Sequence, residues 1–332
     1  MRKGALLILA LCLLPFTAGG LTIKLGSLAP AGSPWDAALR RIAMEWGRIS
    51  SGKVELKIYS GGTAGDEPDM VRKVHMGQLG ATAITVSTIQ EIFNGVKVLS
   101  FPLFIRSDEE FTNIFDRIRP FYERELESRG YKVLMWSYGG WVYFFSRKPI
   151  STPDDLRRQK LWVWEGDPDE VQAWQGMGFQ VVPLASTDLL SSLQSGMVDA
   201  FMTSPLVAAS SQWFGIASHM CGIKLAPMWG ALIISTKEWA KIPAELQPRL
   251  AEAAARIGTE LTPEIARADQ DAVSTMARYG LSITQVPRSA ETEWQAIFEK
   301  GIAYLVGKSY DAASYRTAKS LLDEYLASHP RN

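Results

Sequence analysis

Apolar residues along this chain recur either at every second position or at every third and fourth, and the switch between spacings marks the elements. Leu21-Thr22-Ile23-Lys24-Leu25 alternates and predicts a strand. Pro34 then opens a helix with the stripe Ala38, Ile42, Ala43, Trp46 and Ile49, ended by Gly52. Val54 to Tyr59 alternates again; a helix carrying Met70, Val71, Val74 and His75 runs to Gly77, and Ala81 to Ser87 reads as a buried strand. Phe101 to Phe104 predicts a turn packed on the core, and Glu109 to Ser128 a helix closing at Gly130. Tyr131 to Ser137 and Trp141 to Ser146 follow as two aromatic strands at a crossover. Pro153-Asp154-Asp155-Leu156 starts a short capped helix before the strand from Lys160 to Glu165. Leu184 to Gly196 reads as a helix with Leu189, Leu190 and Leu193 on one stripe, and Met197 to Met202 as a buried strand. Ile223 to Ser235 is the expected return strand. The longest helical pattern, Ala244 to about Tyr279, should span roughly 50 Å and kink at Pro263. Helices from about Ser289 to Val306 and Ala312 to Ser328 are expected on the second of two domains. Two strand-helix-strand units make the chain α/β, with ligand sites beyond the carboxyl ends of the strands.

The first residues change the picture of where this happens. Arg2-Lys3, an apolar run from Ala5 to Phe16 and the small residues Thr17 to Gly20 predict a secretory signal over residues 1–20, too short for a membrane span. A lipoprotein signal ending at Cys12 is the lesser reading, because Leu11 before it is not small. Cys221 is then the single mature cysteine, so no internal disulfide can form. With 35 basic and 35 acidic side chains, nothing in the charge argues for nucleic acid or an anionic membrane.

Catalytic patterns are missing. None of His75, His219 and His329 has metal-ligand spacing, and His219-Met220-Cys221 in a strand point to opposite faces, so a satisfied histidine beside a buried thiol is expected. Gly61 to Gly65 could cradle a phosphate, but Asp66, Glu67 and Asp69 crowd the helix start with negative charge. Gly307-Lys308-Ser309 lacks the upstream glycine of a phosphate loop, and no G-x-S-x-G elbow occurs. The chain reads as a non-enzyme without cofactor or metal.

The runs RKPISTPDDLRRQKLWV and MGFQVVPLASTDLLSSLQSGMVDA resemble the second-domain core of DctP-type solute-binding proteins of TRAP (tripartite ATP-independent periplasmic) transporters. GGTAGDEPDMVRKVHMGQLGA, VLSFPLFIRSDEEF and IISTKEWAKIPAELQPRLAEAA are similar to further family segments in the same order. The resemblance implies a two-domain periplasmic fold with an interdomain cleft and a long bracing helix. Domain I would be 21–138 plus about 230–262, and domain II 139–229 plus about 263–332. It also implies a small-molecule ligand and TRAP permease subunits as partners, to which some systems add a periplasmic tetratricopeptide-repeat companion lipoprotein.

Two departures carry the functional expectation. Where the resembling receptors place an Arg that pairs with the substrate carboxylate, this chain has Trp162; where they place a second Arg in a G-x-R pattern, it has Trp141. Their acid and amide appear as Phe201, Met202 and Thr203. A guanidinium offers two parallel charge-assisted bonds, whereas indole offers one neutral N–H on an apolar plate. The expected ligand is therefore hydrophobic or weakly polar, held by Trp162, Trp141, Phe201, Thr203, Met202 and Trp164, with Trp35, Ser87 and Trp229 at the first-domain wall and hinge. The alternatives are an organic-acid receptor using other residues, and a receptor-fold sensor or scaffold without transport.

Overall fold

The computed structural model of the chain describes residues 20–166 and 168–331; the expected signal segment, including Cys12, lies outside the described residues apart from Gly20. The first lobe alternates β1 (Leu21–Ser27), α1 (Pro34–Ser50), β2 (Val54–Tyr59), α2 (Glu67–His75), β3 (Ala81–Thr85) and α3 (Val86–Ile92). Local chemistry sets the starts: Ser33 caps α1 by accepting the Asp36 N–H at 3.3 Å, with Pro34 in the first turn. A 3₁₀ turn over Asn94–Ser100 and α4 (Asp108–Ser128) then lead into β4 (Tyr131–Ser146).

The second lobe holds α5 (Pro153–Arg157), β5 (Lys160–Trp164), α6 (Pro168–Gly176), β6 (Gln180–Leu184), α7 (Leu189–Ser195), β7 (Ala200–Thr203), α8 (Pro205–Ser210) and β8 (His219–Cys221). β9 (Ala226–Ser235) and α9 (Thr236–Trp239) return to the first lobe, and α10 (Gln247–Arg278) runs 32 residues, about 48 Å at the helical rise. β10 (Ser282–Thr284), α11 (Arg288–Leu305) and α12 (Ala312–Ser328) complete the chain.

The strand order is β2-β1-β3-β9-β4-β7-β5-β6, and β4 belongs to both lobes. Its residues 131–142 pair antiparallel with β9, and Tyr143 to Ser146 with β7. Around these strands β1, β2 and β3 are parallel, as are β5, β6 and β7. α10 braces both lobes, packing on α1, β4 and α8. Buried Trp46 ties α1 to it, donating its indole N–H to the Leu250 carbonyl at 2.9 Å.

The chain departs from its sequence pattern in several places; Ser87, expected in a strand, lies in α3, and the helix expected from Leu184 begins at Leu189. The two aromatic strands expected around residues 131–146 are one, because Gly139-Gly140 form a register shift rather than a turn, with Gly140 at φ 87°. α6 and β6 stand between β5 and α7, where a single crossover was expected. Gly196 does end α7 in the left-handed conformation, but the next strand starts at Ala200, and Met197 is exposed. Finally, α12 lies on the first lobe against α4, since Arg331 pairs with buried Glu110 at 2.6 Å and Arg117 with Glu324 at 2.9 Å.

One contact fixes the crossing strand. The Asp269 carboxylate of α10 accepts the Leu206 N–H at 2.8 Å and lies against the Cα of Gly140, leaving no room for a Cβ. Gly140→Ala should therefore lower stability by about 1–3 kcal/mol through the positive φ and the displaced carboxylate together. Urea unfolding checks this; a variant as stable as the parent would remove Asp269 as the pin of the hinge.

Candidate functional site

The carboxyl ends of the two parallel strand sets meet across the lobes. Ser186, just beyond β6, donates its hydroxyl to Asp66 Oδ1 at 2.6 Å and its N–H to Oδ2 at 3.1 Å. Asp66 also caps α2, accepting the Glu67 N–H at 2.9 Å. A Cβ on Gly62 would sit 3.2 Å from Leu28 and 3.7 Å from Thr187, so at this point the second lobe rests against the first. Behind the contact lies buried Glu67, which accepts the Thr85 N–H at 3.0 Å and hydroxyl at 2.8 Å. Burial pushes its pKa up to about 7 against the hydrogen bonds from Thr85 and Thr88, with the Asp66 charge adding to the rise. Ser87 is exposed in the first turn of α3, and Trp35 is half-buried in the first turn of α1.

Strand alternation sorts the aromatic residues of the second lobe. Phe145 pairs with Phe201, and Tyr143 with Thr203. The Phe145 and Phe201 rings stack at 5.4 Å, and Phe201 meets Trp213 edge-on at 5.4 Å. Fully buried, Phe201 is core rather than open wall in this structure. Trp162 is half-buried against the same cluster, and its indole N–H donates to the Leu184 carbonyl at 3.1 Å. Trp164 is half-buried over Gly166, which has no space for a side chain. Met202 belongs to the opposite face, with Leu161 and Val163.

Trp141 lies elsewhere. A groove of about 1050 Å³ runs between α4 and α10 over β4, lined at its hinge end by Tyr138, Trp141, Tyr143, Asp108, Lys224 and Asp269. The Trp141 indole N–H donates to Asp108 Oδ1 at 2.9 Å, the Tyr138 hydroxyl donates to the same oxygen, and Lys224 Nζ stands 5.1 Å from the Trp141 ring centre. Trp229 also lines this groove, buried and bonded to the Ser100 hydroxyl at 2.7 Å.

The nine expected residues are thus divided. Trp141 and Trp229 open on the groove, whereas Trp162, Trp164, Phe201, Met202 and Thr203 belong to the second-lobe sheet, and Trp35 and Ser87 to the first-lobe strand ends. Sequence reasoning missed Asp108, Tyr138, Tyr143, Lys224 and Asp269. The one available signal was the helical spacing that puts Asp108, Phe111, Thr112 and Phe115 on one side of α4. On β8, Cys221 is buried with its thiol pushed up to about 11 by burial, while His219 Nδ1 has no partner among the described residues, contrary to the satisfied histidine expected. Among the described residues no group of three or more His, Cys, Asp or Glu side chains could hold a metal, and no helix is long and apolar enough to cross a membrane.

Comparison with known proteins places this geometry. The family described as bacterial extracellular solute-binding protein, family 7 (DctP), matches residues 25–308. A solute-binding protein of Chromohalobacter salexigens is 25% identical over 230 residues, 69% of this chain and 68% of the relative. A TRAP periplasmic solute-binding protein of Desulfovibrio salexigens, solved with bound orotic acid, superimposes with a TM-score of 0.83 at 19% identity, over 92% of this chain and 99% of that one. Another, from Roseobacter denitrificans with bound β-D-glucuronate, gives 0.82 at 18% identity, over 91% and 98%.

Two outcomes follow from the strand-end contact. Ser186→Ala removes a hydrogen bond to a carboxylate, worth about 1.5–3 kcal/mol, so the variant should populate a more open form. Its ligand-free radius of gyration by small-angle scattering should exceed that of the parent; equal radii would show that the contact does not hold the lobes together. For Glu67 the folded pKa lies above the ordinary glutamate value of 4.5, so its contribution to stability is present below that value and is lost as pH rises through about 7. Glu67→Gln should flatten the fall in unfolding free energy between those limits, a change on the order of 3 kcal/mol; parallel pH profiles for the two proteins would contradict the assignment.

Proposed function

The chain belongs to bacterial extracellular solute-binding protein family 7, as a TRAP-type periplasmic receptor and not an enzyme, and we propose that its ligand is a small hydrophobic or weakly polar molecule without a carboxylate grip. The observation that carries this is the state of the two indoles at the family's Arg positions. Both N–H groups are already used, by Asp108 and by the Leu184 carbonyl, so neither position offers a free donor to an acid. An unpaired carboxylate entering beside them would lose hydration worth several kcal/mol. The Asp66 carboxylate at the first-lobe strand ends adds repulsion.

In this reading Trp162 and Trp164 form the apolar wall with Thr203, Phe201 supports them from the core, Met202 backs the sheet from its other face, and Trp35 and Ser87 face the wall from the first lobe. Trp141 and Trp229 mark the hinge. Closure favours the bound state because burying apolar ligand surface contributes roughly 25 cal/mol per Å² only when both walls touch it. The loaded receptor delivers its cargo to membrane permease subunits, and a tetratricopeptide-repeat companion would shield such a cargo during handover.

One observation favours a second reading, an organic-acid ligand. Lys224 is exposed beside Trp141, without an ion pair to any described residue, and the solved TRAP proteins of similar fold were found with glucuronate, galacturonate and orotic acid. Calorimetric titration separates the two. We expect D-glucuronate and D-galacturonate not to saturate the wild type at micromolar concentration, and Trp162→Arg to gain acid binding. Submicromolar uronate binding by the wild type, lost in Lys224→Ala, would establish the second reading instead.

A further inference from the structure

The hinge end of the α4–α10 groove has a composition that the cleft between strand ends does not share. Three aromatic rings, Tyr138, Trp141 and Tyr143, line it together with the carboxylates of Asp108 and Asp269. Neither carboxylate has a Lys or Arg partner within ion-pair distance among the described residues. Oδ1 of Asp108 takes both the Trp141 N–H and the Tyr138 hydroxyl, which leaves Oδ2 without a protein donor among the described residues.

The site is also negative. Burial first, and then the neighbouring carboxylates, push the Tyr143 phenol up to about 12 and the Tyr138 phenol in the same direction, while burial holds Asp269 at about 6. Asp108 is exposed and Asp269 half-buried, and neither carboxylate is paired with a cation among the described residues, so both are stabilised by positive charge that enters between them. Lys224 already shows the geometry such a charge takes. Its ammonium stands 5.1 Å from the Trp141 ring centre, on an exposed side chain that makes no ion pair among the described residues, so a ligand can displace it.

We propose that this groove end is a binding site for a small organic ammonium compound, with the cationic head over Trp141 between Tyr138 and Tyr143 and its charge balanced by Asp108 and Asp269. The site is separate from the strand-end cleft and goes beyond the reading given for it. Arg or Lys in place of Trp141 would fill the space with a fixed cation; indole leaves a π face that a mobile one can use.

The test is titration of the full chain with choline, and with its uncharged carbon isostere dimethylbutanol, followed by indole fluorescence and calorimetry. Choline should bind saturably and at least about tenfold more tightly than the isostere. Asp108→Asn should weaken choline about tenfold, and Lys224→Ala, which removes the built-in competitor, should tighten it about threefold. The gain in Lys224→Ala requires a folded protein and so guards against loss through misfolding. Equal affinity for choline and isostere, or no saturable choline binding by either the wild type or Lys224→Ala, would overturn the proposal. Tight uronate binding that survives Lys224→Ala would sink the carboxylate-free reading of the cleft without touching this one, uronate binding lost in Lys224→Ala would overturn both, and failure of choline alone would overturn only this one.

Discussion

Both lobes share a single strand. β4 pairs with β9 along its first twelve residues and with β7 along its last four, so any opening of the cleft has to be absorbed where the pairing partner changes. Gly139-Gly140 supply the irregular backbone there, and Asp269 of α10 holds it by accepting N–H groups from the hinge and from the start of α8. Burying that carboxylate costs enough to lift its pKa to about 6, which its backbone hydrogen bonds only partly offset. The same strand carries Trp141 into the groove and Phe145 into the second-lobe core, so fold and site are set by one stretch of backbone.

What that stretch presents to a ligand follows from the difference between guanidinium and indole. An Arg at either position would bring a charge and a fork of donors. Each Trp brings one N–H, which the protein itself consumes, and a plate of apolar surface. The surrounding charges agree with the substitution: acids gather at the strand ends and at the hinge, and Lys224 rests on a ring rather than on a carboxylate. On the proposed reading, closing across the Asp66–Ser186 contact would bring apolar walls together around the ligand.

Much of this was legible in the residues. Alternation in Leu21–Leu25, the Pro34 start, Gly196 as the helix end and the long pattern after Pro243 all reappear, because each rests on local backbone chemistry. β6 was harder to see: Gln180 to Leu184 mixes polar, apolar and proline positions at a sheet edge, where one face is not consistently buried. α12 was assigned to the second lobe because nothing local records that Arg331 reaches Glu110, a contact more than two hundred residues apart in sequence. The aromatic residues were recognisable as important, yet their destinations were not. Trp141 and Trp162 stand at the family pattern's two Arg positions, but they lie on different strands and the register shift at Gly139-Gly140 precedes only Trp141, so their surroundings differ.

On the proposed reading, indole occupies the positions from which the resembling receptors grip an acid with a charged fork. Native mass spectrometry of the receptor, released from the periplasm and never unfolded, reads this directly, because a tightly held ligand stays with the closed form. A co-purified species lacking a carboxylate is the predicted result; a bound uronate or other organic acid would contradict the account.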